Sequence, residues 1–197
     1  VKVSTARLEA FSDGVLAIII TIMVLELRPP EGAALADLRA LWPVFMSYVL
    51  SFVYVGIYWN NHHHLLRAAD RVNGAIMWSN MHLLFWLSLF PFATAWMGEH
   101  SFAGDTAAFY GLVALMSAIA YFILQSAIVS EHGQDSEVAR ALGNDLKGKV
   151  SPVVYAVSAG LAFVNQWLAV AGYVAMAVLW FIPDRRLSGT SREMGGQ

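Results

Sequence analysis

A chain of 197 residues carries one domain or two small ones. It is 58% hydrophobic and only 13% charged, with a mean hydropathy of +0.56 and a net charge of −2. Soluble domains run near 45–50% apolar and about 25% charged, so an ordinary water-soluble globule, a disordered chain and a basic nucleic-acid binder are all excluded. There is no cysteine, hence no disulfide framework, thiolate zinc site or cysteine nucleophile, and an all-α integral membrane protein remains.

A helical span needs roughly 20 mostly apolar residues to cross about 30 Å of hydrocarbon. The first runs from about Ser4 to Leu27, with an uncharged stretch from Gly14 to Leu25. Arg7, Glu9 and Asp13 precede that stretch and no small-residue cleavage site follows it, so it reads as a retained helix rather than a signal peptide. Arg28-Pro29-Pro30 stops it, because proline has no N–H to donate. The second span is about Trp42 to His64, with Pro43 suited to a first helical turn. The third is about Val72 to Met97, with Pro91 near its far end, and the fourth about Thr106 to Ser130. A polar stretch from Glu131 to Lys149 follows.

The last apolar segment, Ser151 to Ile182, is too long for one span and short for two. Asn165-Gln166 in its middle predicts a tight turn, Ser151-Pro152 a helix start and Pro183 a stop. This gives six spans over residues 1–183, with a disordered tail over 184–197; the fallback is five spans with one long tilted helix at the end. Six spans put ten of the twelve lysines and arginines on one side and only Arg28 and Arg39 on the other. Both termini are therefore expected in the cytoplasm. Nine arginines against three lysines, with much alanine and glycine, point to a GC-rich bacterial genome and its cell membrane.

Ionisable groups inside a span are expensive and mark functional positions. Arg7 and Glu9 can be read as interfacial anchors, but Asp13, beside Ser12, borders the hydrocarbon and needs a partner or water. At about 100° per residue, Gly14, Ile18, Thr21, Ile22 and Leu25 share one stripe of the first helix, with Arg7 lower on the same azimuth. Asp13 and Ser12 fall about 140° and 120° away from Ile18, toward neighbouring helices. By itself the stripe fits lipid or helix packing as well as any pore.

Other constellations carry less. His62-His63-His64 point about 100° apart in succession and cannot converge on one ion, and the i, i+4 pair of an H-E-x-x-H zinc helix is absent. No metal is expected, with His62 a packing and hydrogen-bonding residue, His63 and His64 interfacial, and His82 an interhelical partner. Trp42, Trp59, Trp78, Trp96 and Trp180 lie near span ends as interfacial belts. Gly56, Gly111, Gly160 and Gly172 are expected to permit close helix packing. No phosphate-cradling loop and no G-x-S-x-G element is present, so an enzyme is not expected.

The segment Arg7-Leu8-Glu9-Ala10-Phe11-Ser12-Asp13 resembles the R-x-x-x-F-S-D signature of transmembrane protein 175-type potassium channels. Trp59-Asn60-Asn61-His62 resembles the family's W-x-x-H, and Asn80, Phe90-Pro91-Phe92, Ser151-Pro152 with Tyr155, and Trp180 resemble later helices, so the likeness spans nearly the whole chain. The resemblance implies a homotetramer with six helices per chain and helix 1 lining the pore. It places Ile18, Thr21, Ile22 and Leu25 on the pore. It also implies a polar network in which Arg7, Phe11, Ser12 and Asp13 brace helix 1 against Trp59, His62 and Asn80. The permeant ion would be potassium, with no cofactor and no T-V-G-Y-G carbonyl filter. Partners would be the chain's own copies, the lipid bilayer and potassium ions. Two rivals stay open: an ion-coupled secondary transporter using Asp13, for which inverted-repeat broken helices are not evident, and a membrane scaffold without transport.

Overall fold

The structure, a computed structural model, describes residues 4–133, 135–136, 139–140 and 145–181. The expected tail from Asp184, the stop at Pro183, and Lys2, Arg185, Arg186 and Arg192 of the charge argument lie outside the described residues. The regular elements among the described residues are all helical, in the order α1 (Thr5–Leu25), a 3-10 turn (Leu35–Leu41), α2 (Trp42–Arg67), α3 (Gly74–Ser88), α4 (Phe90–Glu99), α5 (Gly104–His132), α6 (Leu146–Leu161) and α7 (Gln166–Phe181). Four stretches are long and apolar enough to cross a membrane: Thr5–Leu25, Leu35–Arg67, Gly74–Glu99 and Gly104–His132. With α3 and α4 taken as one bent element, the α-helices α1 to α7 among the described residues make six.

Local chemistry sets these boundaries. Pro43 sits in the first turn of α2, where its missing N–H costs nothing. Asn73 caps α3 by accepting the Ile76 N–H at 2.9 Å, and its amide donates to Glu131 at 2.6 Å, tying the start of α3 to the end of α5. His132 completes that tie: its Nε2 accepts the N–H groups of Asp70 and Arg71 at 3.1 and 3.2 Å. Pro91 breaks the third span at Leu89, because the ring cannot donate to the preceding turn. The bend therefore divides the span into 15 and 10 residues rather than ending it.

The start of α6 corrects the expectation from Ser151-Pro152. Asp145 caps the helix by accepting the Gly148 N–H at 2.9 Å, so α6 begins at Leu146 and Pro152 lies inside it. The proline removes one backbone bond, while the Ser151 hydroxyl donates to the Lys147 carbonyl at 2.7 Å. The turn at Asn165 falls where the sequence placed it, with the Asn165 side chain accepting the Trp167 N–H at 2.9 Å. The 16 residues of α6 and of α7 give each a length of about 24 Å, shorter than the about 30 Å of a hydrocarbon core.

The core centres on aromatic residues of α2, α4, α5, α6 and α7. Tyr54 lies 6.1 Å from Phe90, 6.3 Å from Tyr110 and 5.9 Å from Tyr155, and Tyr110 lies 5.5 Å from Tyr173. Hydroxyl groups held out of water must find partners inside the protein. Tyr54 donates to the Tyr173 carbonyl at 2.6 Å, Tyr173 to the Ala107 carbonyl at 2.9 Å, and Ser51 links Thr94 at 2.6 Å to Tyr110 at 3.1 Å. Helix α1 stands at the margin of this core, packed on α2, α3 and α4.

The glycines divide into two groups. A side chain on Gly111 would collide with the Tyr173 hydroxyl and approach the Ala159 methyl at 2.9 Å, and one on Gly172 would collide with the Ser158 hydroxyl. These two permit close helix packing as expected. Gly56 and Gly160 do not, since a methyl group at either meets nothing within 4 Å.

Candidate functional site

Helix α1 has two unlike faces. Leu8, Ser12, Leu16, Ile19 and Met23 are buried against the rest of the protein. The opposite face carries Gly14, Ile18, Thr21, Ile22 and Leu25, with Ile18 57%, Ile22 42% and Leu25 75% exposed. Three apolar side chains in a row are thus left uncovered on one helix of the protomer. The Thr21 hydroxyl donates to the Ala17 and Ile18 carbonyls at 3.0 Å. Its hydrogen is thereby held along the helix, and the oxygen lone pairs are left facing outward.

A belt of polar contacts joins α1 to α2 and α3. Ser12 is fully buried; its hydroxyl donates to the Leu8 carbonyl at 2.9 Å and accepts from the Asn80 amide at 2.9 Å. The Asn80 carbonyl oxygen lies 2.7 Å from His62 Nε2. With the Asn80 amide committed to Ser12, its oxygen can only accept, so His62 carries its hydrogen on Nε2. The other ring nitrogen, Nδ1, is buried without a partner among the described residues. Closer to water, the Trp59 indole N–H donates to Asp13 at 3.0 Å. The Thr5 hydroxyl donates to the Ala69 carbonyl at 3.1 Å and ties the start of α1 to the end of α2.

Five of the seven bracing residues expected from the sequence meet in this way: Ser12, Asp13, Trp59, His62 and Asn80. Arg7 and Phe11 stand apart. Both are exposed, and Arg7 has no partner among the described residues. They lie on the uncovered side of α1. His82 also differs from expectation: it accepts from the Trp86 indole at 2.9 Å within its own helix and links no second helix among the described residues.

The sequence reading passed over one pair. His63 Nδ1 lies 2.8 Å from the Glu9 carboxylate, and its ring stacks on Trp59 with centroids 6.1 Å apart. Ligand atoms of Glu9, Asp13 and His63 all lie within 4.8 Å of one another. The signal is present as two matched i, i+4 spacings, Glu9 with Asp13 and Trp59 with His63, on two helices that the resemblance brings together.

The family model for the endosomal/lysosomal potassium channel TMEM175 matches residues 7–91, from the first turn of α1 to the start of α4, which contains Ser12, Asp13, Trp59, His62 and Asn80 of the polar belt. A potassium channel of Chryseobacterium sp. (strain P1-3) is 49% identical over 187 residues, covering 95% of this chain and 97% of that protein. The chain belongs to the TMEM175 family. It is a multi-pass membrane protein of an ion-channel family, not an enzyme. The TMEM175 fold itself is seen in the crystal structure of a lysosomal potassium-selective channel TMEM175 homolog from Chamaesiphon minutus, with a TM-score of 0.79, 31% identity, and coverage of 92% of this chain and 97% of that one. The human endosomal/lysosomal proton channel TMEM175 is 38% identical over 88 residues, 37% of this chain and 18% of that protein. This TMEM175 chain therefore matches the Chryseobacterium channel over 95% of its length and the human protein over 37%.

Proposed function

We propose that the protein is a potassium-permeable channel of the cell membrane. It assembles as a homotetramer around an axis lined by Ile18, Thr21, Ile22 and Leu25 of α1, with both termini in the cytoplasm. The observation that carries this reading is the uncovered stripe of α1 from Gly14 to Leu25, apolar except for Thr21, on a helix whose opposite side is tied to α2 and α3. One helix encloses nothing, so a conduit on this face needs further copies related by rotation.

In such a ring, Ile18, Ile22 and Leu25 form a constriction that blocks ions by dewetting when narrow and passes them when wider. Four Thr21 oxygens, their hydrogens already turned to the helix carbonyls, present lone pairs that replace part of a cation's hydration. Potassium gives up water more readily than sodium, so it is favoured without a carbonyl filter. The links Ser12–Asn80–His62 and Asp13–Trp59 bear on azimuth: they keep the same stripe facing the axis. The bias of lysine and arginine supports cytoplasmic termini.

Reconstituted flux tests the reading. Proteoliposomes are expected to pass potassium faster than sodium, at rates independent of any counter-ion gradient. Slow, saturating flux that requires a proton gradient would replace the channel by a transporter.

A further inference from the structure

The geometry points to a second cation site, separate from the α1 stripe: Glu9, Asp13 and His63 form a binding site for a zinc-class divalent metal ion that bridges α1 and α2. The three ligand atoms lie within 4.8 Å of one another and come from two helices. Around a tetrahedral zinc, ligands at about 2.0–2.1 Å stand roughly 3.4 Å apart. Side-chain rotation alone closes the difference, with the His63–Glu9 contact opening from 2.8 Å.

Two features separate this cluster from an exposed acidic pair. One ligand is an imidazole from the neighbouring helix, and its ring is already positioned: it stacks on Trp59 and turns Nδ1 toward the carboxylates. The Trp59 N–H meanwhile orients Asp13 at 3.0 Å, the kind of outer contact that holds metal-ligating carboxylates. Glu9 and His63 remain partly open to water, which gives the ion a route in and a solvent ligand for the fourth position. An imidazole with two carboxylates suits zinc; calcium requires six to eight oxygens, more than this cluster offers. Neither Glu9 nor His63 belongs to the R-x-x-x-F-S-D or W-x-x-H pattern, so the site is a property of this chain rather than of those motifs.

The test is calorimetric titration of the untagged full-length protein in detergent with zinc chloride, together with zinc-edge X-ray absorption. A single zinc per chain is expected, with one imidazole and otherwise oxygen ligands. His63→Ala and Glu9→Gln should each weaken binding by at least about tenfold, while His64→Ala, one position away on α2, leaves it unchanged. Zinc affinity equal in wild type and His63→Ala, no zinc uptake by the wild type, or a spectrum with two or more imidazoles would each overturn the site. The spectrum of the wild type decides the question even where a variant fails to fold.

Discussion

Ile18 and Ile19 are neighbours of the same type with opposite surroundings, 57% and 4% exposed. Ile18→Asn puts an amide on the uncovered face, where it attracts water and lowers a dewetting barrier. Faster potassium flux and weaker discrimination against sodium are expected. Ile19→Asn buries the same amide against α2–α4 and should cost about 2–4 kcal/mol of stability, seen as a lower melting temperature. Indistinguishable flux from the two variants would remove the pore assignment. Within the polar belt, depth decides magnitude. Asn80→Ala strips partners from both Ser12 and His62, which are fully buried, at a cost of about 1–3 kcal/mol. Asp13 accepts its bond from an exposed tryptophan, so Asp13→Ala should cost less, about 0.5–1.5 kcal/mol. Thermal unfolding of the two variants side by side measures the order.

At the scale of elements, close contacts between helices make some glycines irreplaceable and others improvable. Gly111 on α5 faces Tyr173 of α7 and Ala159 of α6, and a methyl group there would displace the Tyr173 hydroxyl, which bonds to the Ala107 carbonyl at 2.9 Å. Gly111→Ala is expected to destabilise by about 1–3 kcal/mol through overpacking. Gly160, in α6 with open space beside it, should gain about 0.5–1 kcal/mol on replacement by alanine from helix propensity. Melting temperatures moving in opposite directions would check both. A loss at Gly160 would instead mark it as a contact between copies.

At the scale of the whole molecule, the central question is what covers α1. Among the described residues it packs chiefly on α2, α3 and α4, and its free face holds Phe11, Ile18, Ile22 and Leu25, all substantially exposed. A shared axis makes a direct prediction: the Ile18→Cys variant should cross-link to adjacent-subunit dimers under mild oxidation, against no native cysteine background. Only monomers, with potassium flux intact, would show that conduction does not run along α1.

Much of this architecture was legible in the residues because the bilayer is a severe solvent. Backbone groups in hydrocarbon must be satisfied within each helix, so apolar run lengths and prolines marked the spans, and the 100° period sorted the faces of α1. The position of Pro152 inside α6 was not legible, because the helix begins through the Asp145 cap five residues before Ser151 and a proline's single lost bond is tolerated there. Nor were the open surroundings of Arg7 and Gly56 or the intrahelical partner of His82, since a periodic pattern gives direction but not what stands opposite. The Glu9–His63 pairing and the Ser51–Thr94–Tyr110 chain belong to the tertiary structure alone: each joins residues more than forty positions apart. Sequence by itself determined the helices and which way their faces turn; the packing of α1 on α2 and α3 decided which polar groups meet, because distance across helices is set by the fold and not by spacing along the chain.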